Sequence, residues 1–336
     1  MTKVAFQAAA SLIVLSGSLA SQSQTGLLWA GGTFPAPIYQ KWIESFQARI
    51  PGLRIGYEAV GSEAAIQKLK QGEADFAASD FPLSEEARKS LGVRLIPSVL
   101  GAAVPAYNIP NLQKDLRFSP QLLADIYLGK VTRWNDPEIK ALNRDSHLPA
   151  ENIAVVHRSD GSGTSYVWTD FLSQTSTEWR SKIGASITPA WPVGQGAKGN
   201  DGMADLISRT PFSLGYVEFF YALRYRLSYG EVKNGAGNFV PADIDSLTAA
   251  AAAARSEKGD ENVSIVCAPG ARSYPIAAFT WILIDEKMNP GEKRTRLAAF
   301  LDWALSTGQR EAGALGYVAL PPTLAERERN IAAHIW

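Results

Sequence analysis

The segment from Ile153 to Asp170 constrains the chain more than any other. Its four apolar residues Ile153-Ala-Val-Val156 read as a buried strand, and Tyr166, Val167, Phe171 and Leu172 recur at helical spacing. His157-Arg-Ser-Asp-Gly-Ser-Gly-Thr164 between them is therefore a strand-to-helix turn. Ser162, Gly163 and Thr164 then lie at a helix N-terminus, where the first amide N–H groups lack intrahelical acceptors and the helix dipole adds partial positive charge. Hydroxyls and two glycines at that point suit a tetrahedral oxyanion. Arg158, at the end of the strand, offers a planar fork that can hold such an anion with two parallel hydrogen bonds. The same residues also describe an ordinary capped helix after a turn, so the rest of the chain has to decide.

The arrangement recurs toward the N-terminus. Leu27-Leu-Trp-Ala30 reads as a short strand, and Gly31-Gly-Thr-Phe-Pro-Ala-Pro37 carries it into an amphipathic helix through Tyr39, Trp42, Ile43 and Phe46. Pro35 and Pro37 are tolerated in a first helical turn, where their missing N–H groups would be unpaired anyway. Thr33 supplies this turn's hydroxyl. A strand from Leu53 to Tyr57 leads through Val60-Gly61 into a helix to Leu69, with Ser62 expected as its N-cap. The strand Ala74 to Ala78 ends at Ser79-Asp-Phe-Pro82 and puts Asp80 at a strand's carboxyl end, where open α/β sheets bind ligands. Val93 to Pro97 and Ala102 to Asn108 read as two further strands. Ser119 caps a helix that starts with Pro120, Gly194 to Gly202 reads as a glycine-rich connector before a helix from Met203 to Ser208, and Ala277 to Ile284 is a strong strand. Alternating strands and helices predict an α/β fold with a parallel or mixed sheet covered on both faces.

Charge and cysteine usage exclude several classes. The chain has 33 basic and 33 acidic residues; without the first 20, which hold only Lys3, the balance is 32 to 33. A surface so balanced argues against nucleic acid or an acidic membrane as the main partner. Met1 to Ala20 has one positive charge, an apolar centre including Leu12-Ile-Val-Leu15, and Ser18-Leu-Ala20, the layout of a cleavable secretory signal. No stretch reaches the roughly 18 apolar residues of a membrane span. Cys267 is the single cysteine, so neither a disulfide framework nor a lipidated cysteine at the cleavage site is expected. The expectation is an exported, freely diffusing periplasmic protein.

Gly31-Gly-Thr-Phe-Pro-Ala-Pro37, Ala78-Ser-Asp-Phe-Pro-Leu-Ser84, Ile126-Tyr-Leu-Gly-Lys130, Arg158-Ser-Asp-Gly-Ser-Gly-Thr-Ser165 and Gly199-Asn-Asp-Gly202 occur in one order along the chain. In these motifs the chain resembles the periplasmic phosphate-binding proteins of bacterial high-affinity ABC phosphate transporters, from about residue 26 nearly to the C-terminus. The resemblance implies a type II periplasmic binding protein fold. Two lobes, residues 26–105 plus 277–336 and residues 106–276, would each have a mixed sheet flanked by helices and be joined by two strands crossing near Pro105 and Ala277. It implies inorganic phosphate as ligand, held by the backbone amides of Thr33 and Phe34, the Thr33 hydroxyl, Ser62, Arg158, Ser162, Gly163 and Thr164. Asp80 would accept the phosphate proton and Asp160 would steady Arg158. It further implies permease subunits of an inner-membrane ABC transporter as partners; a monomer is the expected state. Ser62-Glu-Ala-Ala65 departs from the small, glycine-rich run usual in the family; Glu63 is expected to face solvent and favour the helix dipole.

Other readings have to be weighed. Ser162, His157 and Asp160 are the residue types of a nucleophile, base and orienter, but Gly161-Ser-Gly163 lacks the Gly-x-Ser-x-Gly spacing of a nucleophile elbow. His147 and His334 make no metal-ligand spacing with His157 or Cys267. No catalytic residue, metal or cofactor is therefore expected. A receptor for sulfate, molybdate or arsenate stays open, although a carboxylate at Asp80 favours an anion that still carries a proton. An interaction protein that merely keeps the fold would leave Arg158, Asp80 and Ser162 without purpose.

Overall fold

Among the described residues, twelve strands, most of them short, are interspersed with helices, as the sequence pattern anticipates. The computed structural model describes residues 26–253 and 264–334, so the expected export signal lies outside the described residues. The strands are β1 (Gly26–Gly31), β2 (Arg54–Ala59), β3 (Phe76–Ser79), β4 (Val93–Asn108), β5 (Arg117–Phe118), β6 (Ala154–Arg158), β7 (Gln195–Ala197), β8 (Ser213–Glu218), β9 (Ser228–Tyr229), β10 (Glu231–Lys233), β11 (Phe239–Val240) and β12 (Ala277–Asp285). The helices are α1 (Ala36–Gln47), α2 (Ser62–Lys70), α3 (Glu85–Leu91), α4 (Pro120–Tyr127), α5 (Pro137–Leu142), α6 (Gly163–Thr175), α7 (Thr177–Lys182), α8 (Gly199–Arg209), α9 (Phe219–Arg224), α10 (Ile244–Ala253), α11 (Glu292–Ala304) and α12 (Pro322–Ala333).

One mixed sheet runs in the order β2-β1-β3-β12-β4-β8-β6-β7, with β9 added on β4. β1 is parallel to β2 and β3, whereas β12 is antiparallel to β3 and β4. Farther on, β8 is antiparallel to β4 and β6 is parallel to β8 and β7. Buried on both faces, β12 reads as an almost unbroken apolar run rather than an alternating one.

β4 corrects the sequence reading. Residues 93–97 and 102–108 are not two strands but parts of one 16-residue strand. Pro97 and Gly101 look like breakers, yet Pro97 pairs with Trp281 beside a register shift between Thr280 and Trp281, so its missing N–H leaves no gap in a regular ladder. Leu100 exchanges both backbone hydrogen bonds with Val318 at 2.9 Å, which carries the strand through its middle. Val93 to Ala102 run beside β12, and Ala103 to Asn108 run beside β8. The partner strands change where Ala102 faces Ala277 and the Ala103 N–H donates to the Ile276 carbonyl at 3.0 Å.

Aromatic packing anchors each end of the sheet. Trp29 stacks on Tyr39 and Phe76 with ring centroids 4.0 and 4.7 Å apart, and Trp168 stacks on Tyr216 at 5.1 Å. Helix α1 buries Ile38, Tyr39, Trp42, Ile43 and Phe46, one apolar stripe at helical spacing. Truncating a core aromatic such as Trp42 to alanine would cost about 3 to 5 kcal/mol.

Candidate anion site

Four helices begin around one point at the carboxyl ends of the strands: α1 after β1, α2 after β2, α6 after β6 and α8 after β7. Their first N–H groups have no acceptor within their own helices, so the point is rich in donors. The chains approach so closely that side chains are excluded. A Cβ on Gly163 would lie 2.6 Å from Asp80 Cβ, Asp80 Oδ2 and Ser62 Oγ, and one on Gly61, whose φ is +95°, would lie 2.9 Å from Asp160 Oδ2 and the Gly161 carbonyl. Glycine at 61 thus answers two demands, the left-handed backbone and the contact.

From one side come Arg158, Asp160, Ser162, Gly163 and Thr164. Arg158 is buried, and its Nε and Nη2 donate to the two carboxylate oxygens of Asp160 at 2.7 and 2.5 Å. Partial burial would raise the pKa of Asp160, but the hydrogen bonds and charge of Arg158 prevail and hold it below the usual carboxylate range. Arg158 Nη1 lies 3.4 Å from the Thr164 hydroxyl. Ser162 caps α6, its Oγ accepting from the Ser165 N–H at 3.1 Å.

From the other side come Thr33, Phe34, Ser62 and Asp80. Asp80 is 1% exposed; its Oδ1 accepts from Thr280 Oγ1 at 3.0 Å and its Oδ2 from Ser62 Oγ at 3.4 Å. Burial pushes its pKa up to about 7, against the opposing pull of Thr280, Arg158 and Ser62. Ser62 is not the N-cap the sequence suggests. Gly61 takes that position, α2 starts at Ser62, and the Ser62 hydroxyl turns to Asp80 instead. Thr33, Ser62, Asp80, Arg158, Gly163 and Thr164 are thus linked by direct contacts or through Asn200, with Asp160 behind Arg158, and Phe34 and Ser162 adjoin them in the chain.

The sequence reading missed Asn200. It took Gly194 to Gly202 as a plain connector, but this stretch forms β7 and the start of α8. Asn200 is fully buried; its Nδ2 donates to the hydroxyls of Thr33 and Thr164 at 3.0 and 3.1 Å, its N–H donates to Thr33 at 3.1 Å, and its Oδ1 accepts from the Glu218 N–H at 2.9 Å. The Gly199 N–H donates to Asp160 Oδ1 at 3.1 Å. The signal was present in the quoted Gly199-Asn-Asp-Gly202 motif, but nothing local gives its amide a partner 167 residues away.

Glu63 is exposed, but its side chain lies over Gly161 at the rim, where its N–H donates to the Gly161 carbonyl at 3.3 Å. His157 stacks on Trp191 with centroids 5.1 Å apart, and its Nδ1 faces the Arg158 carbonyl at 3.0 Å. A cleft of about 730 Å³ opens beside Thr33 and Gly199, with Lys41, Lys198 and Arg224 on its walls. Among the described residues, no group of three or more His, Cys, Asp or Glu side chains is arranged to hold a metal ion, and no helix is long and apolar enough to cross a membrane.

Comparison with known proteins identifies the family. Residues 17–307 match the family model of the PBP superfamily domain. The phosphate-binding protein PstS of Pasteurella multocida is 38% identical over 312 residues, covering 92% of this chain and 90% of that protein. PstS of Haemophilus influenzae is 37% identical over 311 residues, covering 92% and 93%. Among solved structures, a high-affinity periplasmic phosphate-binding protein, PfluDING, bound with phosphate, superposes with a TM-score of 0.74 at 18% identity over 91% of this chain and 93% of that one. The fold is thus the type II periplasmic binding protein fold that the motifs imply. At such identity and coverage the chain belongs to the PstS family of phosphate-binding proteins, within the PBP superfamily.

Proposed function

We propose that the chain is a receptor for inorganic phosphate, which it holds dehydrated between two lobes and delivers to the permease of an inner-membrane ABC importer. The observation that carries this reading is Asp80. A buried carboxyl held near pH 7, at the meeting point of helix N-termini and across from Arg158, suits an oxyanion that shares a proton with it. Phosphate near neutral pH has such a proton and sulfate does not. The relatives' names support the same ligand, and Thr33, Phe34, Ser62, Asp80, Arg158, Ser162, Gly163 and Thr164 are the residues proposed to hold it.

The proposed lobes are residues 26–105 with 277–336 and residues 106–276, a division favoured by the change of strand partners at Ala102–Ala103 and Ile276–Ala277. We take the protein to be exported, monomeric and non-catalytic. Against hydrolysis, Ser162 Oγ is engaged in capping α6 and His157 is turned to Trp191 and its own backbone. Calorimetric titration of the protein with phosphate, sulfate and molybdate tests the reading: tight binding of phosphate alone is expected, and binding of sulfate or molybdate in its place would overturn it.

A further inference from the structure

Three consecutive carbonyls of the loop between β1 and α1 each accept a tyrosine hydroxyl. Tyr57 Oη donates to the Gly32 carbonyl at 2.6 Å, Tyr221 Oη to the Thr33 carbonyl at 2.8 Å, and Tyr317 Oη to the Phe34 carbonyl at 2.6 Å. The three rings come from separate parts of the chain: β2, α9 and the segment before α12. Tyr221 and Tyr317 are buried. Room is made for Tyr57 by Gly31, where a Cβ would lie 2.7 Å from the tyrosine Cζ.

A peptide unit is planar, and in the trans form its C=O and the following N–H point in opposite directions. The described residues contain no cis peptide bond. A donor fixed on the Gly32 carbonyl therefore fixes the direction of the Thr33 N–H, and a donor on the Thr33 carbonyl fixes that of the Phe34 N–H. Each such bond also polarises its peptide and strengthens the opposite N–H as a donor. Behind the Phe34 carbonyl stands Pro35, which has no N–H to aim; there Tyr317 fixes the entry into α1. Tyr317 has one proton and two oxygens in reach, the Phe34 carbonyl at 2.6 Å and Glu218 Oε2 at 3.1 Å. The hydroxyl's single proton is directed at the nearer Phe34 carbonyl, and the contact with Glu218 Oε2, which also accepts from the Phe220 N–H at 2.9 Å, is the longer of the two.

We infer that Tyr57 and Tyr221 are positioning residues that aim and strengthen the Thr33 and Phe34 amides toward the anion, while Tyr317 holds the entry into α1. The inference rests on the phosphate reading above for its ligand. In the proposed division into lobes, Tyr221 alone comes from the lobe opposite Thr33, so its bond forms on closure and the Phe34 amide reaches full strength only then. Tyr221 would thus slow release rather than speed capture.

The test uses Tyr57→Phe and Tyr221→Phe, which keep the buried rings and remove only the hydroxyls, in protein labelled with ¹⁵N at Thr and Phe. Phosphate affinity should fall about tenfold in each, the scale of one lost hydrogen bond. In Tyr221→Phe the loss should lie in a faster off-rate, with the Phe34 amide proton of the phosphate-bound protein moved upfield. In Tyr57→Phe the Thr33 amide proton should move upfield already without phosphate. Wild-type affinity in both variants, with the Thr33 and Phe34 resonances unmoved, would overturn the inference. If the wild type binds no phosphate, the phosphate reading falls, and the ligand-free Thr33 resonance in Tyr57→Phe still decides whether the hydroxyl orients that amide: a shift sustains the positioning role and an unmoved resonance ends it.

Discussion

Arg158 and Asp160 meet fork to fork, with Nε 2.7 Å from Oδ1 and Nη2 2.5 Å from Oδ2. Two parallel bonds fix the plane of the guanidinium, so that Nη1 is left on the side of Thr164. Arg158→Ala should leave Asp160 without its partner; breaking a buried pair costs about 3 to 5 kcal/mol, so phosphate affinity should fall more than a hundredfold. Arg158→Lys should recover only part, since an ammonium cannot fill both positions. Calorimetric titration of both variants checks this, and equal affinities for Lys and Arg would remove the two-point pairing from the account.

Asn200 offers a second test, because it ties the Thr33 and Thr164 hydroxyls to the end of β8. Asn200→Ala removes both donors and strands the buried Glu218 N–H. An unsatisfied buried group costs about 1 to 3 kcal/mol. The melting temperature should drop and phosphate binding should weaken about tenfold or more, both measured on the same preparation.

The two residues also show how far the sequence could be read. Glycines and hydroxyls between a strand and a helix are local signals, and they gave the turns at Thr33, Ser62 and Ser162; the pair Arg158–Asp160 came from the family resemblance. Asn200 acts on groups 36 and 167 residues distant, which no local spacing records. The same holds for β4, whose continuity past Pro97 depends on pairing across a bulge at Ser98 with β12, a strand nearly two hundred residues later. At Ser62 the helix start was legible, but the positive φ of Gly61 moved the cap by one residue and released the hydroxyl to Asp80.

Glu63 lies at the rim and is exposed. Glu63→Ser should change phosphate affinity by less than about 1 kcal/mol, as for most exposed charges, and the effect should fade as salt rises. A large gain in affinity, seen by titration at low and high salt, would mean that the carboxylate acts on the anion directly.

Asp80 carries the sharpest expectations. Its folded-state pKa of about 7 lies above the ordinary value of 3.8, so between those pH values the folded protein binds more protons than the unfolded chain. Stability contributed by the neutral carboxyl is therefore present at low pH and is lost as pH rises from about 4 to about 7, with a limiting slope of about 1.4 kcal/mol per pH unit. Melting temperatures of ligand-free wild type and Asp80→Asn across that range should show the decline relative to the variant; parallel curves would mean that Asp80 does not hold its proton. Selectivity follows from the same carboxyl. Ionised Asp80 accepts the phosphate proton in a short charge-assisted bond, whereas sulfate has no proton to give and is accepted only after Asp80 has taken one from solvent, at a cost that grows as pH rises above about 7. Asp80→Asn keeps the shape and offers either an acceptor or a donor, so phosphate should still bind while sulfate competes better. Competition titrations at neutral pH measure the ratio, and an unchanged preference for phosphate would remove Asp80 from the selection.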